Sequence, residues 1–207
     1  MRLDRFLGGL GYGSRREIAE LARLGAITLD GRDLTDASAR IAVTPDLPER
    51  MTVDGQPVDP PPGIVILLNK PLGMTCSHKE DGALVYDVLP DRWRRRDPAI
   101  STIGRLDKAT TGLLLLTDDG DLLHRVISPR RHVAKVYRAT LEVISPTEAR
   151  VSVTEGRYHM VRRMFAAVGN HVEALHRERM GGLALPDDLA PGQWRLLTPA
   201  EVDRVFA

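Results

Sequence analysis

Three consecutive prolines, Pro60 to Pro62, stand inside the run QPVDPPPG from Gln56 to Gly63. Proline fixes φ, donates no backbone hydrogen bond and pushes the residue before it out of the helical region, so neither a helix nor a central strand can run through this stretch. The run also lacks apolar periodicity and reads as a short, stiff, extended linker. It divides the 207-residue chain into a part of 1–59 and a part of 60–207, each needing its own core.

The first part reads as a small helix-and-strand module. In SRREIAELARLGA, Ser14 stands at the N-cap, Glu17 completes a capping box, Ile18, Leu21 and Ala22 share one face, and Gly25 supplies the stop. The strand patterns AITLDGR and MTVDGQPV each carry an Asp-Gly pair, Asp30-Gly31 and Asp54-Gly55, that marks a tight hairpin turn. In the second part IVILLNKP, GLLLLTDDG, YRATLEV and ARVSVTE read as strands of a mainly antiparallel sheet. DGDLLHRVI, RYHMVRRMFAAV and TPAEVDRVF read as helices, the last with Thr198 as cap, Pro199 in the first turn and Glu201 at the capping-box position. The expected class is α+β, a small α/β module followed by a mainly antiparallel sheet with flanking helices.

Composition narrows the function by exclusion. The 29 basic and 28 acidic residues leave a net charge of +1, so no global field draws the chain onto nucleic acid or a membrane, and any basic site must be local. The longest apolar runs, IVILL and LLLL, fall far short of the roughly 20 residues of a membrane helix, which implies a soluble chain with no membrane partner. No secretory leader pattern opens the sequence, and the single Cys76 cannot form an internal disulfide, so a reducing cytoplasm is the expected location. Cys76 itself reads as a half-buried thiol rather than a nucleophile. The six histidines show no paired ligand spacing and one cysteine cannot build a zinc site, so neither a metal nor a cofactor is expected. Nothing demands more than a monomer.

Basic residues gather in three places. Arg2, Arg5, Arg15, Arg16 and Arg23 lie in the first module, where Ser14, Arg15 and Arg16 open the capped helix and free backbone N–H groups favour a phosphate; a solvated helix face is the alternative. RWRRR, from Arg92 to Arg96, surrounds Trp93, and SPRRHVAK, from Ser128 to Lys135, contributes Arg130, Arg131 and Lys135. Basic groups of this kind suit an RNA strand, although a surface loop also accounts for them. GRLDKATTGLLLLTDDG, from Gly104 to Gly120, sets Arg105 and Asp107 on either side of one leucine and ahead of four more. That placement fits an ion pair closing a turn or a carboxylate held ready for chemistry.

These stretches resemble a known family along nearly the whole chain. RLDRFLGGLGYGSRREIAELARLGAITLDG is similar to the S4 RNA-binding domain, and GRLDKATTGLLLLTDDG resembles the signature of pseudouridine synthases of the RsuA/RluA type. LNKPLGMTCS, KVYRATL and EGRYHMVRRMFAAVGNHVEALHRERMGGL follow in the order of the remaining family motifs. The two-part arrangement is that of the RsuA/RluB/RluE/RluF branch, most like its members acting on small-subunit ribosomal RNA.

The resemblance implies that Asp107 is the catalytic residue and that Arg105 holds the place of a flipped-out nucleotide. It also implies that Arg162 is the cation keeping Asp107 ionised, that Tyr137 stacks on the target uracil, and that Leu113 and Val161 form apolar walls. The partner so implied is ribosomal RNA or an assembling small ribosomal subunit. A stacked base cannot be rotated, so it must first leave the helix, at a cost of about a few kcal/mol. A carboxylate among apolar neighbours tends to be protonated, which is why a fixed cation is wanted beside it.

Two features depart from the family pattern. Met160 stands where the family commonly has Gln, replacing a polar side chain by a flexible thioether of similar volume. Between Leu141 and Val151 the chain passes almost directly from one strand to the next, where the family carries an extra segment; either a true deletion or a loop missing from this sequence accounts for it. The expectation is that YRATLEV and ARVSVTE nevertheless lie in one sheet. A non-catalytic RNA-binding or ribosome-assembly factor, and a synthase for large-subunit or transfer RNA, are the competing readings.

Overall fold

The computed structural model describes residues 1–77, 82–142 and 147–207. The chain divides into two units, Met1–Ile64 with Leu89–Ile100, and Val65–Val88 with Ser101–Ala207.

In the first unit, α1 (Leu3–Gly9) buries Leu3, Phe6 and Leu7, and Leu10 extends the same face by one turn. The helix α2 (Arg15–Arg23) carries the expected capping box: Ser14 Oγ accepts from Glu17 N at 3.3 Å and Glu17 Oε2 accepts from Ser14 N at 2.7 Å. Both helices pack on a four-stranded antiparallel sheet of order β2-β1-β3-β4, made of β1 (Ile27–Leu29), β2 (Arg32–Asp33), β3 (Met51–Val53) and β4 (Gln56–Pro57). The two Asp-Gly pairs close its hairpins with positive φ at both central residues, 50° and 74° for Asp30-Gly31 and 51° and 73° for Asp54-Gly55. A short helix, α3 (Leu47–Arg50), leads into β3.

The stretch from Gln56 to Gly63 is anchored rather than free. Gln56–Pro57 adds a strand, Val58 is buried in the first core, and Asp59 takes a donated bond from Arg92 Nε at 2.7 Å while its own N–H donates to Tyr12 Oη at 3.0 Å. The first unit accordingly runs to Ile64, five residues past the expected end, and recruits Leu89–Ile100 from what had been read as the second part. RWRRR is therefore largely tied down. Trp93 is buried, Arg92 lies 4.2 Å above the Tyr12 ring, and the buried Arg96 donates to Pro60 O at 3.0 Å. A chain that leaves and returns to a core gives no local sign of doing so.

The second unit is built on an eight-stranded mixed sheet. Its strands are β5 (Val65–Lys70), β6 (Ser101–Thr102), β7 (Thr110–Thr117), β8 (Lys135–Glu142), β9 (Thr147–Val153), β10 (His171–Met180), β11 (Leu183–Ala184) and β12 (Trp194–Leu196). The order is β12-β5-β7-β10-β8-β9, with β6 on β7 and β11 on β10, and every pairing is antiparallel except β7 with β10. YRATLEV and ARVSVTE do lie in one sheet, in register from Lys135 opposite Val153 to Leu141 opposite Thr147. The join itself, 143–146, lies outside the described residues.

Side-chain period decides what each face packs against. Val65, Leu67, Leu113 and Leu115 point to one core with Leu122 and Val126 of α4 (Gly120–Ile127) and Val205 beyond α6 (Pro199–Arg204). Ala139, Leu141, Val172 and Leu175 form another with Val161 of α5 (Met160–Ala167). Leu113, expected to wall the site, sits in the first of these cores because it falls on the other face of β7.

The cap of α6 yields a test. Arg195 and the Thr198 backbone N–H hold the Glu201 carboxyl down to about 2, against an ordinary 4.5. A carboxyl depressed in the folded state stabilises fully above its unfolded value and loses that contribution as pH falls through the folded one. Glu201→Gln is expected to lower stability by about 1 kcal/mol at pH 7. In thermal melts the gap from wild type closes between pH 4.5 and 2.

Candidate active site

Asp107 sits in the turn that feeds β7, its carbonyl accepting from Thr110 N at 2.9 Å. The turn is fastened from beneath rather than by its own side chains. Lys70, fully buried at the end of β5, donates from Nζ to Thr110 O at 2.8 Å, Pro71 O at 3.1 Å and Lys108 O at 3.5 Å. Burial pulls its ammonium pKa down, against the opposing pull of Cys76 and Asp107. Leu106 N donates to Cys76 Sγ at 3.5 Å, and burial pushes that thiol up, so Cys76 is a structural acceptor.

With its backbone fixed, Asp107 presents a side chain that is 42% exposed, one oxygen facing His159 Nε2 at 3.6 Å. Among the described residues Arg105 and Asp107 form no ion pair, which removes the turn-closing alternative; both line the same cleft. Arg162, expected as the cation beside Asp107, instead donates to Val172 O and, at 3.2 Å, to Ala109 O. It therefore clamps the Asp107 turn to β10. The reason is supply: these carbonyls sit at a strand end and a turn, where the ladder leaves acceptors open.

One row of residues crosses the sheet beneath the cleft. In register lie Lys70 on β5, Gly112 on β7, Arg177 on β10 and Tyr137 on β8. Tyr137 lines the cleft, and its Oη accepts from Arg177 Nη1 at 3.3 Å. The cleft encloses about 700 Å³. Its wall includes Arg105, Lys135, Arg157, Arg162 and Arg177 against the carboxylates Asp107 and Glu155, a local excess of positive charge that the even overall balance concealed. Lys135 donates to Val133 O at 3.0 Å, and burial, then the charge of Arg177, pull its pKa down. Val161 and Met160 supply apolar wall, as expected for the former.

At the mouth, Tyr158 is 75% exposed and stacks on His159 with ring centroids 3.9 Å apart and planes at 15°. His159 adopts the left-handed conformation, φ 48°, just ahead of α5. That region is uncommon for a residue with a side chain, although His, like Asn and Asp, enters it more readily than most. Arg130 and Arg131 are exposed in a 3-10 turn, Pro129–Arg131.

Sequence reasoning passed over Lys70, Tyr158, His159 and Arg177. Arg177 had left a signal, a charge two residues from Leu175 on the face of the strand that otherwise turns Leu175 and Met180 inward. In the first unit Arg2 and Arg23 are paired with Asp4 at 2.7 Å and Glu20 at 2.6 Å, while Arg5, Arg15 and Arg16 are exposed and, among the described residues, form no ion pair. Ser14 is engaged as the helix cap. The described residues hold no group of three or more His, Cys, Asp or Glu able to bind a metal ion, and no helix long and apolar enough to cross a membrane.

The cleft is thus basic, carries the two carboxylates Asp107 and Glu155, and is backed by a mixed sheet. Residues 64–153 match the family model described as RNA pseudouridylate synthase. The chain belongs to the RNA pseudouridine synthases, which are isomerases, and within them to the RsuA type. It is 39% identical to the ribosomal small subunit pseudouridine synthase A of Escherichia coli strain K12, over 99% of this chain and 100% of that protein. The protein of the same name from Yersinia pestis is 40% identical over 100% and 99% of the two chains. A crystal structure of a pseudouridylate synthase superposes with a TM-score of 0.62 at 29% identity, covering 99% of each chain. The Escherichia coli alignment spans 240 positions against the 207 residues here, so at least 33 of them are occupied only in the relative.

Proposed function

We propose that this chain converts a specific uridine of small-subunit ribosomal RNA to pseudouridine in the cytoplasm, with Asp107 as the catalytic carboxylate. The observation that carries this reading is that Asp107 and Tyr137 face one basic cleft whose backbone is fixed by Lys70, Cys76 and Arg162. The full-length similarity to small-subunit enzymes supports the choice of RNA. The reaction is an isomerisation: the C1′–N1 bond breaks, the base turns, a C1′–C5 bond forms, and the proton lost from C5 is balanced by one gained at N1. It requires a carboxylate, a stacking surface and a fixed backbone, and no cofactor. Tyr137 supplies the stacking surface for the flipped uracil, Arg105 fills the gap left in the RNA, and Arg162 positions the Asp107 turn. Lys135, Arg130 and Arg131 contact phosphates along the cleft. Residues 1–59 act as an S4-like RNA-binding domain through Arg2, Arg5, Arg15, Arg16 and Arg23, with Ser14 capping the helix that carries the last three.

A pseudouridine-specific primer-extension scan of small- and large-subunit ribosomal RNA transcripts, with and without ribosomal proteins, tests the proposal. One new stop in the small-subunit transcript is the expected result. A stop only in large-subunit RNA would reassign the substrate. RNA binding without any stop would favour an assembly factor.

The stacked Tyr158–His159 pair is a ready platform for a nucleobase beside the target, because its rings are already ordered against each other. Tyr158→Ala is expected to weaken RNA binding by 1–2 kcal/mol, roughly 5- to 30-fold in Kd. Tyr158→Phe should retain wild-type affinity. Filter binding with the substrate RNA measures both, and equal loss in the two variants would count against stacking.

A further inference from the structure

Arg177 is the bulkiest of the fully buried side chains, only 2% exposed. Lys70, two strands away in the same row, is also buried but donates to three carbonyls. Arg177 is not so well served. Nε donates to Leu113 O at 2.7 Å and Nη1 to Tyr137 Oη at 3.3 Å, but among the described residues Nη2 has no partner and no carboxylate pairs with the guanidinium.

Burying a cation without an anion costs several kcal/mol, and an apolar side chain of the same volume would fill the site at less cost. A group kept at such expense inside the catalytic cleft's lining points to work done there. Tyr137 lies directly across from it in strand register, with the guanidinium carbon 5.8 Å from the ring centroid. When Tyr137 Oη accepts from Nη1, one oxygen lone pair is taken and the O–H torsion is turned away from the guanidinium. Its hydroxyl proton is then left to the cleft. The guanidinium, buried and unable to lose its charge, also keeps a positive charge behind that oxygen.

We infer that Arg177 is a positioning residue for the isomerisation, acting through Tyr137 by orienting the phenol oxygen and holding a positive charge against it. The inference rests on the proposed isomerase reading, so its test includes a measurement that does not.

The experiment is a double-mutant cycle of Arg177→Met and Tyr137→Phe, read as kcat and KM on the transcript identified by the scan, together with NMR of protein labelled with ¹³C at tyrosine Cζ. Alone, Arg177→Met should lower kcat about 100-fold with KM changed less than about 3-fold. In the Tyr137→Phe background the same substitution should change kcat less than about 3-fold, since the group it acts through is gone. The Tyr137 resonance, assigned by its loss in Tyr137→Phe, should move in Arg177→Met and return part of the way in Arg177→Lys.

Equal losses of kcat in both backgrounds, or an unmoved Tyr137 resonance, would overturn the inference. Should Arg177→Met fail to fold, Arg177→Lys carries the same cycle, because it keeps the charge and loses only the forked donors. If the wild-type protein modifies no RNA, the isomerase reading fails while the NMR arm still decides whether Arg177 sets the state of Tyr137.

Discussion

Asp107→Asn should abolish pseudouridine formation, by at least about 10⁴-fold in single-turnover rate, while leaving the protein folded and bound to RNA. The separation follows from how the residue is held. Nothing in the turn depends on the carboxylate: its backbone is fastened by Lys70, by Cys76 through Leu106 N and by Arg162 through Ala109 O. The side chain itself is 42% exposed and faces His159 Nε2 at 3.6 Å. Asparagine fills the same space and keeps one acceptor oxygen, so the melting temperature should stay within about 2 °C and RNA affinity within about 3-fold. Residual turnover within tenfold of wild type would mean that another carboxylate does the chemistry. The cleft offers only Glu155 among its lining residues, and that group is already paired with Arg157 at 2.7 Å.

What could be read from the sequence was what local chemistry writes. The capping boxes of α2 and α6, the two Asp-Gly hairpins and the apolar strand β5 each depend on residues within a few positions of one another, and each formed as read. The strand β10 was not seen, although it is the longest described strand and joins β7 to β8. Its register shifts between Val172 and Ala174 and again between Arg177 and Arg179, and each bulge breaks the alternation by which a strand is recognised. The helix α1 was missed as well, its Leu3, Phe6, Leu7, Leu10 spacing interrupted by Gly8 and Gly9 at its end. Asp107, Tyr137 and Arg105 were named from motifs, and all three line one cleft. What motifs do not carry is the partner of each group. That Arg162 serves carbonyls rather than a carboxylate is a fact of how α5 packs, and that Arg177 stands behind Tyr137 is a fact of strand register, set by residues forty positions apart.

Gly112→Ala should be among the most damaging single methyls in the second unit. Gly112 lies on β7 between Lys70 and Arg177, with φ at +99°, where a residue with a side chain is strained before any contact is counted. A Cβ built there would lie 2.3 Å from Arg177 O, 2.8 Å from Arg177 N and 2.9 Å from His176 Cε1. The first two atoms are backbone of the adjacent strand and cannot swing away, so relief requires prying β7 from β10 at the one parallel seam of the sheet. Strain and overpacking together should cost about 3–5 kcal/mol, or roughly 10 °C or more in melting temperature for a chain of this size. Gly104→Ala is the matched control, with φ at +71° but nothing within 4 Å of the added carbon; it carries strain alone and should cost about 1–2 kcal/mol. The seam also sets the spacing between the Asp107 turn and the Arg177–Tyr137 pair, so Gly112→Ala protein still folded at low temperature should have lost most of its turnover. Melting and activity measured on the two alanine variants decide the matter: equal destabilisation would show that the sheet yields at this seam, and that close backbone approach is not what holds the two halves of the site in place.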